Sequence, residues 1–145
     1  MKLSSVFDNG ENVPKKYTCD GNDINPALKI SDVPAAAKSL VLIVDDPDAP
    51  GGTFVHWIAY NIDPKTKEIP EGVSLGTGGM NDFGTTKYGG PCPPPGSPHT
   101  YRFKLYAVDF DSWPLFEIPP DKAAIESFME GHIIAQAELD GKYQR

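Results

Sequence analysis

The chain has 145 residues, a length suited to one domain and too short for a second full core. Hydrophobic residues make up 39% and charged residues 23%, and no apolar run approaches the roughly 20 residues of a membrane-spanning helix, so an integral membrane protein is not expected. Thirteen Lys and Arg against 20 Asp and Glu give a formal net charge of -7, which argues against nucleic acid or an anionic lipid surface as partner; a bound anion must be held locally, against the overall field.

Met1-Lys2-Leu3-Ser4-Ser5 runs into Asp8-Asn9-Gly10-Glu11 without the apolar segment of a signal peptide, which predicts a cytoplasmic protein. Cys19 and Cys92 lack the close spacing of a zinc site and are too few for a disulfide scaffold, so they are expected as free thiols. The 14 glycines and 15 prolines are too many for a helical bundle and cut the chain into short segments. Residues 40–44, 54–62 and 101–108 have strand length and strand composition. The second of these is apolar on both faces and is predicted to be central. In the third, Tyr101, Phe103, Leu105 and Ala107 face one way and Arg102 and Lys104 the other, the period of two of a sheet with one solvated face. Residues 71–100 are rich in glycine and proline and read as a functional loop or disorder. Trp113-Pro114-Leu115-Phe116 is an apolar loop suited to covering a pocket or to self-association. Pro119-Pro120-Asp121 then opens a helix of about three turns, with Ala124, Ile125, Phe128 and Met129 at helical spacing before Gly131. Residues 133–139 suit helix or strand, and the alternation of Ile133, Ala135, Ala137 and Leu139 favours strand. These elements predict a mainly β chain: one domain over residues 1–145, an antiparallel two-sheet β-sandwich with a few short peripheral helices.

Three segments carry candidate chemistry. Asp45-Asp46-Pro47-Asp48-Ala49-Pro50 leaves a strongly apolar strand, which places carboxylates on a rigid support; the competing reading is a turn with solvated acids, and Ala49-Pro50 is a candidate cis bond. His56 lies in the most apolar run, where a hydrogen-bonded core histidine is the commoner explanation. His99 ends the stretch that starts Gly89-Gly90-Pro91-Cys92, whose five prolines fix its shape and whose glycines can leave amide N–H groups free for an anion. Trp57, Tyr60, Phe103 and Tyr106 read as core and sheet-face aromatics.

Taken in order, DDPDAP, VHW and GGPCPPPGSPHTYRFKLYAVD resemble the phosphatidylethanolamine-binding protein family, in its short bacterial and archaeal branch. The resemblance extends to Tyr17-Thr18-Cys19-Asp20-Gly21 and Asn25-Pro26-Ala27-Leu28 near the start, and to Glu130-Gly131-His132-Ile133-Ile134 near the end. It implies a two-sheet sandwich with one small pocket for phosphate, acetate or a phosphorylated head group. Asp46, Pro50, His56, Gly90, Pro91, His99 and Tyr101 would line that pocket, and Asp48 would support its loop. No cofactor and no metal are implied. The family resemblance further implies a non-catalytic module that restrains a kinase or a serine protease, and a homodimer. Phe54 stands where larger members carry tryptophan, and the C-terminal helix that borders their pocket is missing after Tyr143.

Imidazoles that titrate near 6.5, facing a phosphate whose second pKa is about 6, predict binding that is pH-sensitive between roughly 5.5 and 7.5. A hydrolase is the alternative, with Asp46, His56 and His99 around Cys92 or Ser97 as nucleophile or around a divalent metal. A third reading makes the loop from Gly90 to His99 a surface for a protein partner.

Overall fold

In the computed structural model, which describes residues 1–145, eight strands are β1 (Lys2–Ser4), β2 (Leu28–Ser31), β3 (Ser39–Asp46), β4 (Phe54–Ile62), β5 (Glu68–Ile69), β6 (Thr77–Gly78), β7 (His99–Val108) and β8 (Ile133–Tyr143). One sheet has the order β1-β2-β5 and the other β6-β4-β3-β7-β8, and every pairing is antiparallel. The middle of the larger sheet is β3, whereas the sequence pattern pointed to β4. All eight residues of β3 are buried, because both of its faces are covered. Leu40, Leu42 and Val44 join Leu28, Ile30, Phe103 and Leu105 between the sheets. Val41 and Ile43 face the other way, where Ile125 and Met129 pack with Ile58 and Val108. At about 25 cal/mol per Å² of apolar surface, each such side chain contributes about 1.5–3 kcal/mol. β4 is equally apolar but has only the two-residue β6 on its outer side.

The helix α1 (Lys122–Met129) is shorter than the three turns expected. Asp121 caps it by accepting a 2.9 Å hydrogen bond from the Ala124 amide, and Gly131 follows it with a left-handed φ of 80°. Ile125 and Met129 are buried, while Phe128 is half exposed and meets the rings of Trp113 and Phe116. Trp113 also packs on Tyr60 and Phe110, so this apolar loop covers the helix-side core and lies away from the pocket described below. β8 continues to Tyr143, beyond the predicted 139, pairing with β7 along its length. No helix is long and apolar enough to cross a membrane.

Cys19 and Cys92 form a disulfide, with Cα atoms 5.4 Å apart, in place of the free thiols expected. Wide separation in sequence hid their proximity: both lie on loops that fold over one end of the sandwich, where the Cys19 amide donates to the Pro91 carbonyl at 3.1 Å. Closing so long a loop restricts the unfolded chain and is worth about 4 kcal/mol in the chain-entropy picture.

Candidate functional site

Pairing between β3 and β4 slips at one point. Val44 lies opposite Trp57 and Asp45 opposite Val55, so His56 is an extra residue in a β-bulge. The bulge frees the imidazole from regular alternation and turns it to the open end of the sandwich. The backbone there still needs partners, and the irregular segment after β6 supplies them. The Val55 amide donates to the Asp82 carboxylate at 2.7 Å, and the Asp82 amide to the Val55 carbonyl at 2.9 Å. The His56 carbonyl accepts from the Gly89 amide at 3.1 Å and from the Asn81 side chain at 3.2 Å. Asn81 is buried, and its other bonds to Thr85, Lys87 and the Phe83 amide shape the loop that carries Phe83.

A cavity of about 140 Å³ opens here, lined by Asp46, Pro50, His56, His99 and Tyr101 with Ala49, Phe54, Phe83, Cys92, Pro93 and Pro94. At about 30 Å³ per water molecule, that is room for a group the size of a phosphate. Four aromatic rings meet edge to face at its wall: Phe54 on His56 and on Phe83, His56 on Phe83 and on Tyr101, with centroids 4.8–5.2 Å apart.

Each imidazole is fixed from behind. His56 Nδ1 donates to the Gly89 carbonyl at 2.8 Å, and His99 Nδ1 donates to Asp46 Oδ2 at 2.6 Å. Carbonyl and carboxylate oxygens only accept, so both Nδ1 atoms carry a proton and Nε2 is the atom each ring has left for a guest. The Asp46 carboxylate is itself oriented by the Asp48 amide at 2.8 Å, and Asp48 accepts from the Thr100 amide at 2.8 Å, which ties the acidic turn to the start of β7. Burial pushes the His56 imidazole below its ordinary pKa, against the opposing pull of the Gly89 carbonyl and of Asp46, so the ring is neutral at neutral pH. Burial, reinforced by the charge of Asp46, pushes the Tyr101 phenol up and keeps its proton in place.

Of the residues singled out in the sequence, Asp46, Pro50, His56, His99 and Tyr101 are gathered around the cavity. Asp48, Gly90 and Pro91 stand behind it. The Gly90 amide donates to Asp23 at 2.7 Å and the Gly89 amide to His56, so these two N–H groups are already engaged and are not free to hold an anion. Gly90 is required for another reason: a Cβ there would strike the Tyr17 carbonyl. Gly89 is likewise pressed against the Phe83 ring. Ala49-Pro50 is trans, since the chain has no cis peptide bond. Phe83 escaped sequence reasoning, and the buried Asn81 that shapes its loop sits in a run without periodicity. No group of three or more His, Cys, Asp or Glu side chains is arranged to hold a metal ion.

The family model of phosphatidylethanolamine-binding proteins matches residues 3–144. The chain belongs to that family. A UPF0098 protein of Pyrococcus horikoshii is 50% identical over 157 residues, covering 100% of this chain and 77% of that protein. One from Aquifex aeolicus is 48% identical, covering 99% and 87%. Among solved structures, a phosphatidylethanolamine-binding protein homolog from Chlamydia trachomatis superposes with a TM-score of 0.92 at 43% identity, covering 99% of this chain and 97% of that one. Escherichia coli YbcL, described as a member of the mammalian phosphatidylethanolamine-binding protein family, gives 0.89 at 30% identity, covering 99% and 98%. The family fold is thus shared across nearly the whole of this chain, including the end of the sandwich where the cavity lies.

Proposed function

We propose that the protein is a non-catalytic binding module whose cavity takes a phosphate group, free or on a phosphorylated head group, in its singly charged, protonated form. The observation that carries this is the fixed orientation of the two imidazoles. With Nδ1 occupied on both rings, Nε2 is the atom each imidazole offers to a guest; the neutral His56 ring accepts a hydrogen bond there, as does the Asp46 carboxylate. No Lys or Arg lines the cavity. A guest must therefore bring protons with it, or protonate the rings as it enters. A phosphate monoester does both near its second pKa of about 6. Membership of a family named for phosphatidylethanolamine binding supports the same ligand class.

Two features disfavour hydrolysis. The Cys92 sulfur is held in a disulfide, and the Ser97 hydroxyl is exposed with no hydrogen bond to either imidazole. Disulfides persist in oxidising compartments and only exceptionally inside cells. A cytoplasmic placement therefore goes with a cell whose interior tolerates the bond. Calorimetric titration with inorganic phosphate and with phosphoethanolamine at pH 6 and pH 8 tests the reading. Affinity is expected to fall about tenfold per unit above the second phosphate pKa, and to be lost in His99→Ala. Binding of equal strength at both pH values, or turnover of phosphate esters, would refute it.

A further inference from the structure

Cys92 forms part of the cavity wall, beside Pro93, Pro94 and His99. The loop that carries it is stitched to the N-terminal segment on one side of Cys92 only. Tyr88 Oη donates to the Tyr17 carbonyl at 2.7 Å, Gly90 to Asp23 at 2.7 Å, and Cys19 to Pro91 at 3.1 Å. Past Cys92, until His99 enters β7, the loop is held through Gly96, whose amide donates to the Arg145 carbonyl and whose carbonyl accepts from the Gln144 side chain. The disulfide is thus the last firm anchor before the imidazole that Asp46 orients. It is also reachable, since Cys92 is exposed and Cys19 half buried. Arg145 Nη1 lies 3.6 Å from Cys92 Sγ, a placement that stabilises a thiolate there once the bond is opened.

We propose that the Cys19–Cys92 bond is a redox-controlled latch, whose reduction by a dithiol releases the wall at residues 92–98 and weakens the cavity's hold on a phosphate group. This rests on the phosphate reading given above. In the exchange, one thiolate of the dithiol attacks Cys92 Sγ and Cys19 leaves as a thiolate. The reagent's second thiol then displaces Cys92, closing the reagent into its own disulfide. Two electrons pass to the protein and both cysteines finish as thiols or thiolates. In an oxidising compartment the latch stays shut, and a dithiol oxidoreductase would open it.

The test uses the full chain before and after dithiothreitol, with thiol counting by maleimide, phosphate titration by calorimetry, and imidazole proton signals by NMR. Reduction of the folded protein should expose two thiols, shift the His99 signals and lower phosphate affinity by roughly tenfold, the size expected when a preorganised wall must be ordered on binding. Reoxidation should restore both. A Cys19→Ser, Cys92→Ser double variant should bind like the reduced chain and ignore the reagent; if it fails to fold, reversible reduction of the natural chain carries the test. A bond that resists dithiothreitol until the protein unfolds, or reduction that leaves His99 and the affinity unchanged, overturns the latch. An oxidised chain that binds no phosphate overturns the ligand reading instead, and the His99 signals and hydrogen exchange of residues 92–99 then decide whether the wall is latched.

Discussion

Asp45 and Asp46 are consecutive on β3, and strand alternation sends them to opposite faces of the same sheet. Both are buried, at 0% and 3% exposure, so burial does not distinguish them. Their partners do. Asp45 meets Arg102 Nε at 2.8 Å, Lys104 Nζ at 2.8 Å and Lys122 Nζ at 3.0 Å, which joins β3, β7 and the start of α1. Burial alone would raise its pKa, but the hydrogen bonds from Lys104, Arg102 and Lys122 prevail and hold it below the usual carboxylate range. Asp46 meets one imidazole and one amide and borders an open cavity. A saturated carboxylate braces the sheet; an unsaturated one at the same depth, backed by a histidine, is available to a guest.

Replacing each aspartate in turn should separate these roles. Asp45→Ala leaves three cations crowded around a vanished carboxylate and should cost about 3 kcal/mol, the lower end for a broken buried ion pair because the cations are partly solvated. Urea denaturation measures it, and phosphate affinity of the folded fraction should be unchanged. Asp46→Ala removes two hydrogen bonds to one charge and should cost about 2 kcal/mol, with a loss of phosphate affinity that Asp45→Ala does not share. If the two variants lose affinity equally, the division between brace and site is wrong.

Acid should set the two faces against each other. The folded pKa of His56 lies below its unfolded value, so as pH falls through about 6.5 the unfolded chain takes up a proton that the folded chain resists. Stability from this group is complete above that pH and drains as pH drops toward the lower folded pKa. Phosphate binding should run the other way, strengthening between pH 7.5 and 5.5. Thermal melts with and without phosphate should therefore diverge as the pH is lowered; parallel curves would mean that His56 is a core residue only. Asp45 contributes at neutral pH and is lost only as pH falls below the carboxylate range. The smallest effect concerns Phe83, which is 45% exposed. Phe83→Ala should cost less than about 1 kcal/mol of stability, and an affinity loss beyond a few-fold would show that the ring contacts the guest directly.

The sandwich was legible because its signal is local: period-two alternation in β7, a continuous apolar run in β3, and turn residues between them. The placing of β4 as the central strand failed because the apolar faces of a strand report what covers it above and below, and say nothing of what lies alongside. His56 shows a different limit. Its sequence surroundings favour a core histidine, and it is indeed buried, yet the one-residue slip opposite Val44 and Asp45 turns it to a cavity, and a bulge leaves no trace in hydrophobic pattern. The Cys19–Cys92 bridge and the Asn81 network were hidden because both depend on where loops return to in space. Motif resemblance reached Asp46, His99 and Tyr101 where periodicity could not, because it carries the memory of an assembled pocket.

The stretch between β6 and Gly89 has a second role in how this protein behaves in company. By bonding to Val55, His56 and Ile58, it occupies the outer rim of β4, which would otherwise present bare amides and carbonyls to a neighbouring molecule. The segment that shapes the aromatic wall is therefore also a guard against edge-to-edge aggregation. Substitutions there that reshape the aromatic wall bear on solubility as well.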